Sequence, residues 1–169
     1  MTAAVASRGR STGPRGWRRT RDRWLAGLAG VVLAWGAAPV ALAQGQAPLP
    51  TVRLSAGLYV IQAEVAQTPA QLQQGLMFRT AMAPQAGMLF IFERTHRHCM
   101  WMRNTLIPLS VAFLRDDGTI VNIEDMAPRT ETSHCATEPV RLALEMNQGW
   151  FAQRGIQPGQ RIRGLPTLP

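Results

Sequence analysis

The stretch LSVAFLRDDGTIVNI, residues 109–123, decides the fold. Two short runs rich in apolar and β-branched residues flank Asp117-Gly118, and an Asp-Gly pair supplies the positive φ angles that a tight hairpin turn needs. Leu109–Arg115 and Thr119–Ile123 are therefore expected to pair antiparallel. Working outward, similar short runs recur at Gly87–Phe92, His98–Met102 and Val140–Met146. Upstream, Thr51–Ala56 and Leu58–Ala66 read as two strands broken at Gly57. In the second of these, Tyr59, Ile61, Ala63 and Val65 alternate with Val60, Gln62 and Glu64, a period near two. Pro158-Gly159 marks a turn before a last strand near Arg161–Gly164.

Helix signals are few and local. Thr68 is a good N-cap, Pro69 suits the first helical position, and Gln71 completes a T-x-x-Q capping box. Gly75 is the expected stop, which leaves under two turns, too short to stand without packing on a sheet. Asn147 is expected to cap a second short helix running from Trp150 to Arg154. Seven or more short strands with one or two short helices indicate a mainly β fold, a single compact antiparallel sandwich or barrel-like domain.

The formal charge is +8, which invites a nucleic-acid partner until its location is counted. Residues 1–43 hold seven arginines and a single acid, Asp22, and the chain has no lysine. The remaining eleven arginines face nine carboxylates, a net of +2 scattered without a basic stripe, so nucleic acid is not the expected partner. After Arg23 an uncharged apolar run, Leu25 to Ala43, closes on Ala41-Leu42-Ala43. A positive start, an apolar middle and an A-x-A end are the parts of a secretory signal peptide cleaved near Ala43. A retained membrane anchor is the alternative, since about 19 apolar residues just span a bilayer. The expected organisation is a leader over 1–43, a flexible lead-in over 44–50 and one domain over 51–166. Export to the periplasm or beyond follows, with membrane contact only through the leader.

Cys99 and Cys135 both fall in the exported part, where a cysteine pair reads most simply as a disulfide. Closing a 36-residue separation contributes about 4 kcal/mol on the chain-entropy model. A soft-metal site is the competing reading, because all three histidines adjoin those cysteines. On a strand His98, Met100 and Met102 share one face, an imidazole and two thioethers suited to copper. Core filling by the two methionines explains the same pattern. Copper is thus the one cofactor alternative, and otherwise none is expected.

Catalytic arrangements are poor. Ser55, Ser110 and Ser133 lack a nucleophile-elbow context, and Cys135 beside His134 points away from it on a strand. Glu124-Asp125 and Asp116-Asp117 are adjacent acids near turns, and neither a phosphate-binding glycine loop nor a zinc signature is present. No residue is assigned a catalytic role. More informative are polar residues inside apolar segments: Arg79, Arg103, Asn104 and Glu145. A charge there must face water or find a partner, because burying it alone is costly. Outward-facing alternation accounts for Glu145 easily. Gathered beside Trp101, the four instead make a polar cleft, and a structural ion pair among them is an equal alternative.

Four blocks, Gly75-Leu-Met-Phe-Arg79, Gly87-Met-Leu-Phe-Ile-Phe92, Trp101-Met-Arg-Asn-Thr-Leu-Ile-Pro-Leu109 and Ala143-Leu-Glu-Met-Asn-Gln-Gly149, resemble in order the motifs of DUF192, a bacterial and archaeal domain of unknown function. The likeness runs over about Val52–Gly164. It implies a compact mainly β domain, often behind a signal peptide, and no assigned activity. Cysteine-flanked versions of the pattern fit the disulfide. Two positions depart: Ser110 stands where many members carry an acid, and Arg103 stands where lysine is common, keeping charge but changing donor geometry. The leading expectation is a non-catalytic domain binding an unidentified small molecule or cell-envelope component. A copper-handling protein and a hydrolase with an unrecognised site are the alternatives.

Overall fold

The computed structural model describes residues 49–168. The leader and most of the lead-in lie outside the described residues. Within them the chain forms β1 (Thr51–Ala56), β2 (Tyr59–Ala66), α1 (Pro69–Gln74), β3 (Ala86–His96), β4 (Cys99–Met100), β5 (Leu109–Leu114), β6 (Ile120–Met126), β7 (His134–Cys135), β8 (Val140–Asn147), α2 (Trp150–Gln153) and β9 (Ile162–Arg163). Seven strands make one sheet in the order β6-β5-β8-β3-β2-β1-β9, and β4 and β7 pair separately.

All pairings are antiparallel except β2 with β3. Parallel neighbours need a crossover longer than a hairpin, and α1 with its following turn provides it. The sheet curls into a half-barrel. At one end its outermost strands meet, where Ile120 N–H donates to Gln160 O and Ile162 N–H to Gly118 O. The Asp-Gly hairpin joins β5 to β6 as expected, with Gly118 at φ +85. A side chain there would also collide with the Ile162 carbonyl, so glycine is required twice over.

Two apolar clusters fill the two faces. Leu54, Ile61, Leu89, Leu144, Met146 and Ile162 pack with Trp150 and Phe151 of α2 on one side. Met88, Phe90, Val111, Phe113 and Ala143 pack on the other with Leu76, Met100 and Met102. Both faces of the middle strands are therefore covered, and β5 is buried at every position.

Two local expectations are corrected, and one element goes unforeseen. The strand at His98–Met102 shrinks to Cys99–Met100, because Met102 N–H turns away to Thr130 O. Its two-residue partner β7 carried no sequence signal of its own. Asn147 does not cap α2: it ends β8, its side-chain amide donates to the Met82 and Ala83 carbonyls, and left-handed Gly149 takes the cap position.

Candidate functional site

The site begins with α1, whose capping box forms as its sequence demands. Thr68 Oγ1 accepts from Gln71 N–H, and the Gln71 side chain accepts from Thr68 N–H at 3.0 Å. The helix stops at Gly75, where the chain must turn sharply against the Phe90 ring. Beyond it Phe78 adopts φ 64, a conformation bulky residues avoid. Asn104 does the same at φ 57, and Phe78 N–H donates to the Asn104 carbonyl at 2.9 Å. A third left-handed residue, Arg129, donates its N–H to Thr105 O at 3.0 Å. Three irregular segments are thus tied together at a cost of about 1–3 kcal/mol per strained residue. What they present is unusual for a surface: Phe78 is 64 % exposed and Trp101 44 %.

Between these rings lies an open groove of about 650 Å³, walled by Gln73, Gln74, Met77 and Phe78 on one side and Trp101, Arg103 and Asn104 on the other. The Arg103 guanidinium sits 5.6 Å from the Trp101 ring centre and 3.7 Å from Glu131. Both ends of that ion pair are exposed, so the pair itself contributes little and leaves Arg103 free to reorient.

Beneath the groove is a small cavity of about 30 Å³, lined by Trp101, Met77, Phe90, Met100, Thr105 and Glu145, with the last turn of α1 closing it. Glu145 is only 4 % exposed. It stands on β8 between Met88 of β3 and Val111 of β5, on the face of the second apolar cluster. No donor among the described residues reaches its carboxyl. Desolvation alone pushes its pKa up to about 8, so it is mostly protonated at neutral pH.

The expected cleft is thus divided. Trp101, Arg103 and Asn104 share the groove, and Glu145 lies below them. Arg79 is drawn elsewhere, into a two-pronged pair with Glu64 at 2.5 and 2.6 Å, both partners about a quarter exposed. The guanidinium is held strongly protonated by that hydrogen bonding. Glu64 faces Met88, so Glu64 and Glu145 occupy one row across the sheet, one neutralised by an arginine and the other not. Sequence reasoning missed Phe78, Gln73, Gln74 and Met77. Their only signal was position: Gln73 and Gln74 end the capped helix, and Met77 and Phe78 follow it inside a recognised block.

Cys99 and Cys135 face each other across β4 and β7, Cα atoms 3.9 Å apart, and are joined as a disulfide; among the described residues no cysteine is free. The His98 ring stacks on Phe92 at 3.8 Å, and its Nε2 lies 2.9 Å from the Arg94 carbonyl. Met100 and Met102 belong to the core. No group of three or more His, Cys, Asp or Glu side chains able to hold a metal occurs among the described residues. The Ser110 hydroxyl donates to Asp125 and accepts from Gly149 N–H. Ser110 pairs with Met146, on the face opposite Glu145, so its departure from the family pattern leaves the groove untouched.

A family model, DUF192 (Uncharacterized ACR), matches residues 51–164, which is most of the chain. The chain belongs to the DUF192 family. A crystal structure from Sinorhizobium meliloti 1021, of a protein provisionally labelled a transcription regulator, is 40 % identical with a TM-score of 0.66; the match covers 71 % of this chain and 98 % of that one. A protein of unknown function from Novosphingobium aromaticivorans DSM 12444 is 36 % identical with a TM-score of 0.65, covering 68 % and 86 %. No curated protein matches. The DUF192 blocks named above supply Met77 and Phe78, Phe90, Trp101 to Thr105, and Glu145, which together build the groove and its cavity.

Proposed function

We propose that this DUF192 protein is an exported, non-catalytic domain that binds a small molecule, free or part of the cell envelope, in the groove across Phe78 and Trp101. The convergence of two family blocks on one groove with two exposed aromatic rings, and of all four on that groove and its cavity, carries this reading. Aromatic faces give a ligand apolar area at little entropic cost, and the amides and Arg103 fix its orientation. Backbone strain held at Phe78 is a further mark of a site kept for use. Export is supported by the leader and by the disulfide, which persists in oxidising compartments.

The regulator label of the S. meliloti relative is not carried over. The helices among the described residues span six and four residues, too short to read a DNA groove, and the charge lies mainly in the leader. Hydrolysis finds no support at Ser110, whose hydroxyl is engaged by Asp125 rather than by a histidine.

Two measurements test the proposal. Saturable binding of a component of a small-molecule periplasmic extract is expected to be lost in Trp101→Ala and weakened about tenfold in Arg103→Ala, with unchanged melting. Binding indifferent to both substitutions would overturn the groove. For export, the intact mass of the protein from a periplasmic fraction should start near Gln44 and take up no thiol reagent. A mass including residues 1–43, or two alkylated thiols, would contradict it.

A further inference from the structure

We infer, resting on the groove as the binding site, that the cavity beneath Trp101 seats the ammonium group of an amine ligand whose body lies across the groove. Size comes first. A cavity of about 30 Å³ admits a group the size of two or so waters, since one water needs roughly 10–15 Å³ on the same measure. An ammonium fits, whereas a phosphate or a ring does not.

Chemistry narrows the occupant further. The cavity presents one carboxyl, polarisable surfaces and the dual-purpose polar groups of Gln73, Gln74 and Thr105, and no cation. Glu145 contributes a carboxyl that is 4 % exposed, stands on the face of an apolar cluster and opens into this cavity. The last turn of α1 closes one side, where the final carbonyls of a helix have no partner within it. Phe90 and Trp101 add ring surfaces and Met77 and Met100 add thioethers, all favourable to a cation.

The charged groups nearby do not compete. Arg79, in the turn after α1, pairs with Glu64 of the same sheet row, and both its prongs are taken there. Arg103 is on the Trp101 ring and leans toward Glu131, not into the cavity. The residues flanking Glu145 on β3 and β5, Met88 and Val111, do not titrate, nor do Leu72, Gln73 and Gln74 of α1.

The proton balance follows. Without ligand the buried carboxyl holds its proton. An arriving ammonium keeps its own charge, the carboxyl ionises against it, and one proton leaves to solvent for each amine bound below about pH 8. Affinity should therefore rise with pH in that range. Uptake of the ammonium exchanges a neutral acid for a charge-assisted hydrogen bond.

Calorimetric titration of the protein with benzylamine and benzyl alcohol, matched in shape and different in charge, tests this. Benzylamine is expected to bind at least tenfold more tightly at pH 7, with affinity rising about tenfold from pH 6 to pH 7. Heats in two buffers of different ionisation enthalpy should report one proton released. Glu145→Gln should lower amine affinity to that of the alcohol and abolish proton release. Trp101→Ala should remove binding of both probes. Equal, pH-independent binding of the two probes, lost in Trp101→Ala, would overturn the ammonium seat and leave the groove standing. Binding of neither probe, or binding untouched by Trp101→Ala, would overturn the groove reading and the seat with it. The pH series on the unsubstituted protein decides the matter even should Glu145→Gln fail to fold.

Discussion

Glu145 is the residue on which most of the physics turns. In the unfolded chain its carboxyl ionises near 4.5, and in the fold it keeps its proton to about 8. A carboxyl whose folded pKa is raised opposes folding once the unfolded form has lost its proton. Its share of stability is therefore undiminished below about pH 4.5 and falls by about 1.4 kcal/mol per pH unit until the folded group ionises near 8. Urea denaturation should show this slope between pH 5 and pH 8, and Glu145→Gln should remove it and be the more stable form at pH 8. A variant with the same slope as the parent would mean that the carboxyl is solvated after all. The sequence showed that a charge sits between Leu144 and Met146, and it showed the period that sends Glu145 to the face opposite them. It did not show that this face is covered, because what lies over a strand comes from α1 and the 101–105 segment, remote in the chain. Arg79 was legible as a charge needing a partner, but its partner, Glu64, lay unremarked in an alternating strand.

At the scale of elements, the signals that could be read were those spanning three or four residues. The capping box of α1 and the Asp-Gly hairpin formed as written. Thr68→Ala removes the side-chain acceptor for Gln71 N–H and should cost about 1 kcal/mol, seen as a lower denaturation midpoint. Because α1 walls the groove, the same change should also weaken whatever binds there. Elements defined by distant partners could not be read. β7 is two residues long and exists only because His134-Cys135 lies opposite Cys99-Met100. Asn147 has the chemistry of a cap, yet its amide is better used on the Met82 and Ala83 carbonyls, and Gly149 can adopt the left-handed turn that starts α2. The disulfide joining β4 to β7 constrains the unfolded chain over 36 residues. Its removal by Cys99→Ser with Cys135→Ser should lower stability by about 4 kcal/mol, measured by denaturation beside the parent protein. A loss below 1 kcal/mol would show that the β4–β7 flap is held by its core contacts alone.

For the whole molecule, a half-barrel with both faces packed leaves little surface free for function, and the exposed rings of Phe78 and Trp101 stand out against it. The mainly β class was legible because short strands and turn residues alternate along the whole chain. The groove was only half legible, since its far wall comes from a strained turn after α1. Two other openings compete with it: one beside Ser110, Asp125 and Phe151, and one beside Tyr59, Arg154 and Arg163. The most direct test of the central claim is to map, by nuclear magnetic resonance on the isotopically labelled protein, where a library of neutral, acidic and basic fragments binds. The groove predicts that the hits shift Met77, Phe78, Asn104, Thr105 and the Trp101 indole together. Hits that gather at Asp125 and Phe151, or at Tyr59 and Arg154, while those five stay still, would contradict it.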